Sequence, residues 1–161
     1  MLYCTQIYRQ ALEKILTPYQ MQLELVANEQ AIPGSFWGES EAGLIADRLY
    51  VRNDTPVHSA LHEACHYICM DQSRRNLLHT NAAGDYDEEN AVCLLQILLA
   101  DQSPLIGAAR LMQDMDAWGY SFRLGNTQAW FEADAEDAWQ WAIDHGLLDS
   151  NKQLTWHLRI D

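Results

Sequence analysis

The sequence predicts one α+β domain in which helices pack on a small antiparallel sheet, and three observations lead there. Apolar residues recur at helical spacing over five segments, while short stretches near residues 19–25, 44–51 and 154–160 alternate or read as strands. Strands come early and helices dominate thereafter, the order of an α+β chain. No repeat, low-complexity tract or linker divides residues 1–161, so a single domain is expected.

Element by element, Ile7, Ala11, Leu12, Ile15 and Leu16 form one stripe of a first helix, which Pro18 stops. Tyr19, Met21, Leu23 and Leu25 then alternate with Gln20, Gln22 and Glu24, the pattern of a half-buried strand. Pro33, Gly34 and Gly38 mark a turn-rich stretch around Phe36 and Trp37, after which residues 44 to 51 read as a second strand. Asn53-Asp54-Thr55-Pro56 starts a helix over residues 56 to 70, with Pro56 at its first position. A polar loop over residues 72 to 86 leads to a helix capped by Asp85 or Asp87 with its body at Ala91 to Ala100. Ser103-Pro104 opens the next helix, ending near Gly119, and residues 127 to 145 form another that ends at Gly146. Leu154, Trp156, Leu158 and Ile160 alternate as a final strand, and Trp130, Trp139 and Trp141 read as core.

Composition narrows the function. With 48% hydrophobic and 20% charged residues and six tryptophans, the chain can fill a core without a metal or disulfide staple. A formal net charge of −13, with no basic stripe beyond Arg74-Arg75, opposes binding to a phosphate backbone, so nucleic acid is excluded as a partner. The four cysteines lack the spacing of a disulfide framework and are expected to be reduced and buried. The sequence lacks both the progression of a secretion signal at its N-terminus and a run of 18 uncharged apolar residues, so a cytoplasmic protein outside the membrane is expected.

The chemistry concentrates in His62-Glu63-Ala64-Cys65-His66. Residues four apart on a helix lie one turn along and about 40° around, so the two imidazoles can converge on one divalent ion. Glu63 projects beside the ion, placed to accept a proton from water, and is the candidate catalytic base. A catalytic zinc takes three protein ligands and leaves one position open, and the second helix offers Glu88 or Glu89 as the third. Glu88 is preferred because it shares a face with Ala91, Val92, Leu95 and Leu99, where a buried carboxylate needs a strong partner; the face of Glu89 carries Cys93 and Gln96. The metal site, His62, His66 and Glu88, would then lie between two helices.

His58 continues the stripe but sits about 12 Å of helix rise from His66, too far to share one ion. Cys65 and Cys69 lean toward the same stripe and offer an alternative, thiolate-rich structural zinc site. His79, Tyr86, Arg74 and Arg75 are candidates to polarise a substrate oxygen, with loop packing and helix capping as their competing roles.

The segment resembles the zincin-type metallopeptidases: His62-Glu63-x-x-His66 matches their motif, and Glu88-x-x-Ala91 resembles the downstream glutamate of the gluzincin branch. The resemblance implies a zincin-like domain with His62, His66 and Glu88 as ligands and Glu63 as base. The family often places an Asp one turn after its glutamate to brace a histidine; here that position is Val92. Residues Ser59 to Arg75, with Ser59-Ala60-Leu61-His62-Glu63, His66 and Arg74-Arg75, also resemble the elongation factor P hydroxylase family. That likeness implies a mononuclear iron held by two histidines and a carboxylate, oxidising a protein side chain. The same ligand types suit either metal. The sequence thus points first to a zinc-dependent hydrolase of peptide or amide bonds acting on a peptide or protein, with an iron hydroxylase as the alternative and a non-catalytic, metal-stabilised interaction module as a third reading.

Overall fold

The computed structural model describes every residue except Trp37, Glu39 and Thr80. Helix α1, Gln6–Leu16, buries Ala11, Leu12, Ile15 and Leu16, while Ile7 at the start of the stripe stays half exposed. Pro18 converts the exit into a 3-10 turn, and Gln20 adopts a left-handed conformation that redirects the chain into β1, Gln22–Leu25.

The stretch expected to be a second strand is a hairpin. Strands β2, Gly43–Ile45, and β3, Arg48–Val51, are joined across Ala46 and Asp47, with Ala46 at φ 51°. Gly43 is required in β2, because a Cβ there would lie 1.8 Å from the Pro33 carbonyl oxygen. The sheet order is β1-β3-β2, β2 antiparallel to β3 and β1 parallel to it with Leu23 opposite Leu49. The expected antiparallel sheet is therefore mixed. A two-residue turn can only return β3 alongside β2, whereas the long crossover through residues 26–42 delivers β1 and β3 in the same direction.

Helix α2, Val57–Cys69, runs through the middle of the fold, packs along α4, Tyr86–Ala100, and touches α1, β2 and β3. Ten of its side chains are buried, Val57, Ala60, Leu61, Ala64, Cys65 and Ile68 among them. Pro56 is the extended residue before the helix rather than its first member. The expected loop after α2 contains a short helix, α3, Gln72–Asn76, whose cap Asp71 accepts hydrogen bonds from the Arg74 N–H (2.9 Å) and the Ser73 hydroxyl (2.7 Å). Asp85 caps α4 in the same way through the Glu88 N–H.

Helix α5, Ala108–Trp118, begins four residues later than Pro104, after a turn that ends at Gly107, and stops at Gly119, left-handed as a C-terminal glycine should be. The long helix expected next is two, α6, Thr127–Ala133, and α7, Glu136–Asp144, broken at Asp134, which pairs with Arg123. Trp130 is buried against Phe122, while Trp139 and Trp141 are half-buried; Trp141 stacks on His145. The C-terminal segment forms one isolated bridge, Leu148 with Leu154, and no strand. It lies across helix ends instead: Arg159 N–H donates to the Ile68 carbonyl and Ile160 N–H to that of His145, both at 2.9 Å. The architecture is α+β: seven α-helices and a three-stranded sheet among the described residues, with no helix long and apolar enough to cross a membrane.

Candidate metal centre

One turn of α2 presents His62 and His66 to the first turn of α4. Their rings are 4.7 Å apart, centroid to centroid, and nearly perpendicular. The carboxylate facing them is that of Glu89: Oε1 lies 3.1 Å from His62 Nε2 and Oε2 3.2 Å from His66 Nε2. These are the one group of three among the described residues whose donor atoms, all within 4.8 Å of one another, could hold a metal ion. Two imidazole nitrogens and a carboxylate oxygen suit zinc or ferrous iron, so the donor set fits. No thiol joins it. Cys65 and Cys69 are wholly buried and outside the group, and burial, reinforced by neighbouring thiols and acids, pushes both well above the usual cysteine range.

Glu88, expected as the third ligand, points elsewhere. It is 3% exposed and bound by two guanidiniums: Arg74 through both carboxylate oxygens, and Arg159 Nη1 at 3.1 Å. The physical premise, that a carboxylate on this face needs a strong partner, holds; arginines supply it, one of them 71 residues away in sequence. Gly84 closes over this cluster, since a Cβ there would lie 2.3 Å from Glu88 Oε2.

The histidine-glutamate group opens into a cavity of about 370 Å³ lined also by Glu41, Ser59, Glu63, Asn81, Trp118 and Tyr120. Glu63 is raised to about 7, chiefly by burial, with His62 opposing and Glu41 and Glu89 adding. Burial takes His66 down to about 4, helped by His62 and opposed by Glu89. Burial also works against charge on His62, but Tyr120, Cys93 and Glu89 carry it well above the ordinary histidine range.

The surrounding groups hold the rings in place. Gln96 Oε1 is 2.7 Å from His62 Nδ1. His66 Nδ1 has no hydrogen-bond partner among the described residues. His58 is buried between Trp118 and Tyr120, its Nδ1 3.3 Å from the Tyr120 hydroxyl, outside the ligand group as its helix rise implied. Ser59 donates to Glu41 at 2.6 Å and accepts from the Ala42 N–H, fastening the loop before β2 to α2. Of the other candidates, Arg74 is spent on Glu88 and Asp71, and Arg75 on the Met70 carbonyl; Tyr86 is exposed at the start of α4, and His79 bridges to Ile45 through its backbone.

Glu41, Gln96 and Tyr120 lie at the site without having been singled out from the sequence. One signal for α4 was present: Glu89, Cys93 and Gln96 form the polar row of an otherwise apolar helix, and that row faces the histidines. Nothing local marked Glu41 or Tyr120, which arrive by loops. No family model, curated protein or solved structure gives a significant match to this chain.

Proposed function

We propose that His62, His66 and Glu89 hold one divalent ion, and that the protein is a metal-dependent hydrolase of peptide or amide bonds with Glu63 as its general base. The observation that carries this reading is the convergence of three ligand atoms on the floor of an open cavity that Glu63 also lines. An ion there would supply Lewis acidity, acidifying water and polarising a carbonyl oxygen. Glu63 takes the proton of the attacking water as oxygen bonds to the carbonyl carbon, and returns a proton to the leaving nitrogen as the C–N bond breaks. Its raised pKa suits both transfers near neutral pH. The Tyr120 hydroxyl, in the same cavity, is the donor available to the carbonyl oxygen as charge develops. Phe36 and Trp118, about half exposed among the cavity residues, favour a polypeptide substrate. Four free, buried cysteines agree with a reducing compartment, the cytoplasm.

A second reading, an iron-dependent hydroxylase, is favoured by one specific observation. The gluzincin likeness rested its third ligand on Glu88, which is bound to arginines, whereas the hydroxylase likeness asks only for two histidines and a carboxylate, the set that His62, His66 and Glu89 present, with Ser59 of the same stretch fastening Glu41 beside them. Metal analysis of protein purified without added metal, under air and anaerobically, tests both. Near one zinc per chain, with cleavage in a peptide-library screen, supports the hydrolase. Iron lost in air, with oxygen uptake, supports the second reading. Failure to bind either metal overturns both.

A further inference from the structure

The brace that a histidine ligand ordinarily receives through its second ring nitrogen comes here from an unexpected quarter. Gln96 is wholly buried on α4, two turns after Glu89. Its Nε2 lies 3.4 Å from the His58 carbonyl, which only accepts, so the amide nitrogen faces that carbonyl and the amide oxygen faces His62. The oxygen then has one role at 2.7 Å: it accepts from His62 Nδ1–H. One amide thus ties His58 and His62 of α2 to α4. Val92, one turn after Glu88, is buried and apolar and braces neither ring.

We infer that Gln96 is a positioning residue for the metal centre: by accepting from His62 Nδ1–H it fixes the tautomer and ring orientation that leave Nε2, on the side of Glu89, available to an ion. This rests on the metal-site reading above. The rings are held unequally: both Nε2 atoms face Glu89, but Nδ1 of His62 is held by Gln96 while Nδ1 of His66 has no hydrogen-bond partner among the described residues, so His62 is the ligand whose second nitrogen a single side chain controls. Loss of that side chain leaves a ring free to turn and a nitrogen free to change tautomer.

The test uses Zn²⁺ alone, in competition with a chromophoric chelator, on the full chain. Gln96→Leu, close in size but unable to accept, should weaken zinc binding by about 10–100-fold, the range seen for partners that orient metal-bound histidines. Gln96→Glu, which accepts the same bond, should bind as tightly as wild type or tighter. Long-range ¹H–¹⁵N spectra of zinc-loaded wild type should show His62 protonated at Nδ1 and ligated through Nε2, a readout that stands even if Gln96→Leu does not fold. Wild-type affinity in a folded Gln96→Leu, equal weakening by Gln96→Glu, or ligation through Nδ1 overturns the inference. His62→Ala and Glu89→Ala separate the two levels: if they keep full zinc affinity the site itself is wrong, and if they lose it while Gln96→Leu does not, the role of Gln96 alone is wrong.

Discussion

Glu88 and Glu89 are adjacent in sequence and their carboxylates keep opposite company: Glu88 is locked between Arg74 and Arg159, Glu89 faces His62 and His66. Successive helical residues point about 100° apart, so the rotation of α4 about its axis decides which acid meets the histidines. The first acid is held by two guanidiniums, while the second faces two imidazoles, groups that can themselves bind an ion, and is therefore the acid the proposed metal would take.

Glu89→Ala should therefore abolish most metal binding, by more than the ~10–100-fold typical of a partner outside the ligand set. Glu88→Ala, in protein that remains folded, should leave the ligands themselves intact. Zinc titration against a competing chelator reads both, and a larger loss in Glu88→Ala would return the third ligand to Glu88.

Stability should show the reverse order. Glu88→Ala leaves Arg74 and Arg159 facing each other without their shared carboxylate and should cost about 3 kcal/mol, the low end for breaking a buried ion pair because both arginines reach solvent. Glu89→Ala in metal-free protein should cost far less, its side chain being 47% exposed. Urea denaturation of chelator-treated proteins checks the ranking.

Glu63→Gln should keep metal stoichiometry, since the amide preserves size and Glu63 stands outside the ligand group. Turnover of any peptide found in the cleavage screen should fall about 10²–10⁴-fold, the usual contribution of a general base. Unchanged turnover with metal bound would remove Glu63 from the mechanism while leaving the metal site standing.

Asp71 offers a prediction in acid. The Ser73 hydroxyl and the Arg74 N–H and guanidinium hold its carboxyl below the usual range, so its stabilising effect is present above the unfolded value and fades as pH falls through the folded one. Asp71→Ala should cost about 1 kcal/mol near pH 6, the worth of a helix cap. The deficit should narrow below about pH 4, near the ordinary aspartate pKa. Paired denaturation curves at the two pH values measure it; a gap that widens in acid would contradict the cap.

What the sequence determined by itself was local. Periodicity placed α1, α2 and α4, because an apolar stripe or an apolar body between a cap and a breaker is encoded within one or two dozen residues. The spacing of His62 and His66 sufficed to bring their rings together, since both stand on one helix with fixed rise and rotation. The tertiary structure decided whatever depended on a distant partner. The parallel alignment of β1 with β3 follows from a crossover rather than from either strand's pattern. Residues 154–160 alternate like a strand, yet Arg159 and Ile160 give their backbone N–H groups to the ends of α2 and α7 rather than to a sheet edge. The choice between Glu88 and Glu89 turned on Arg159, near the far end of the chain: burial required a counter-charge for Glu88, and only the folded chain brings that guanidinium to it.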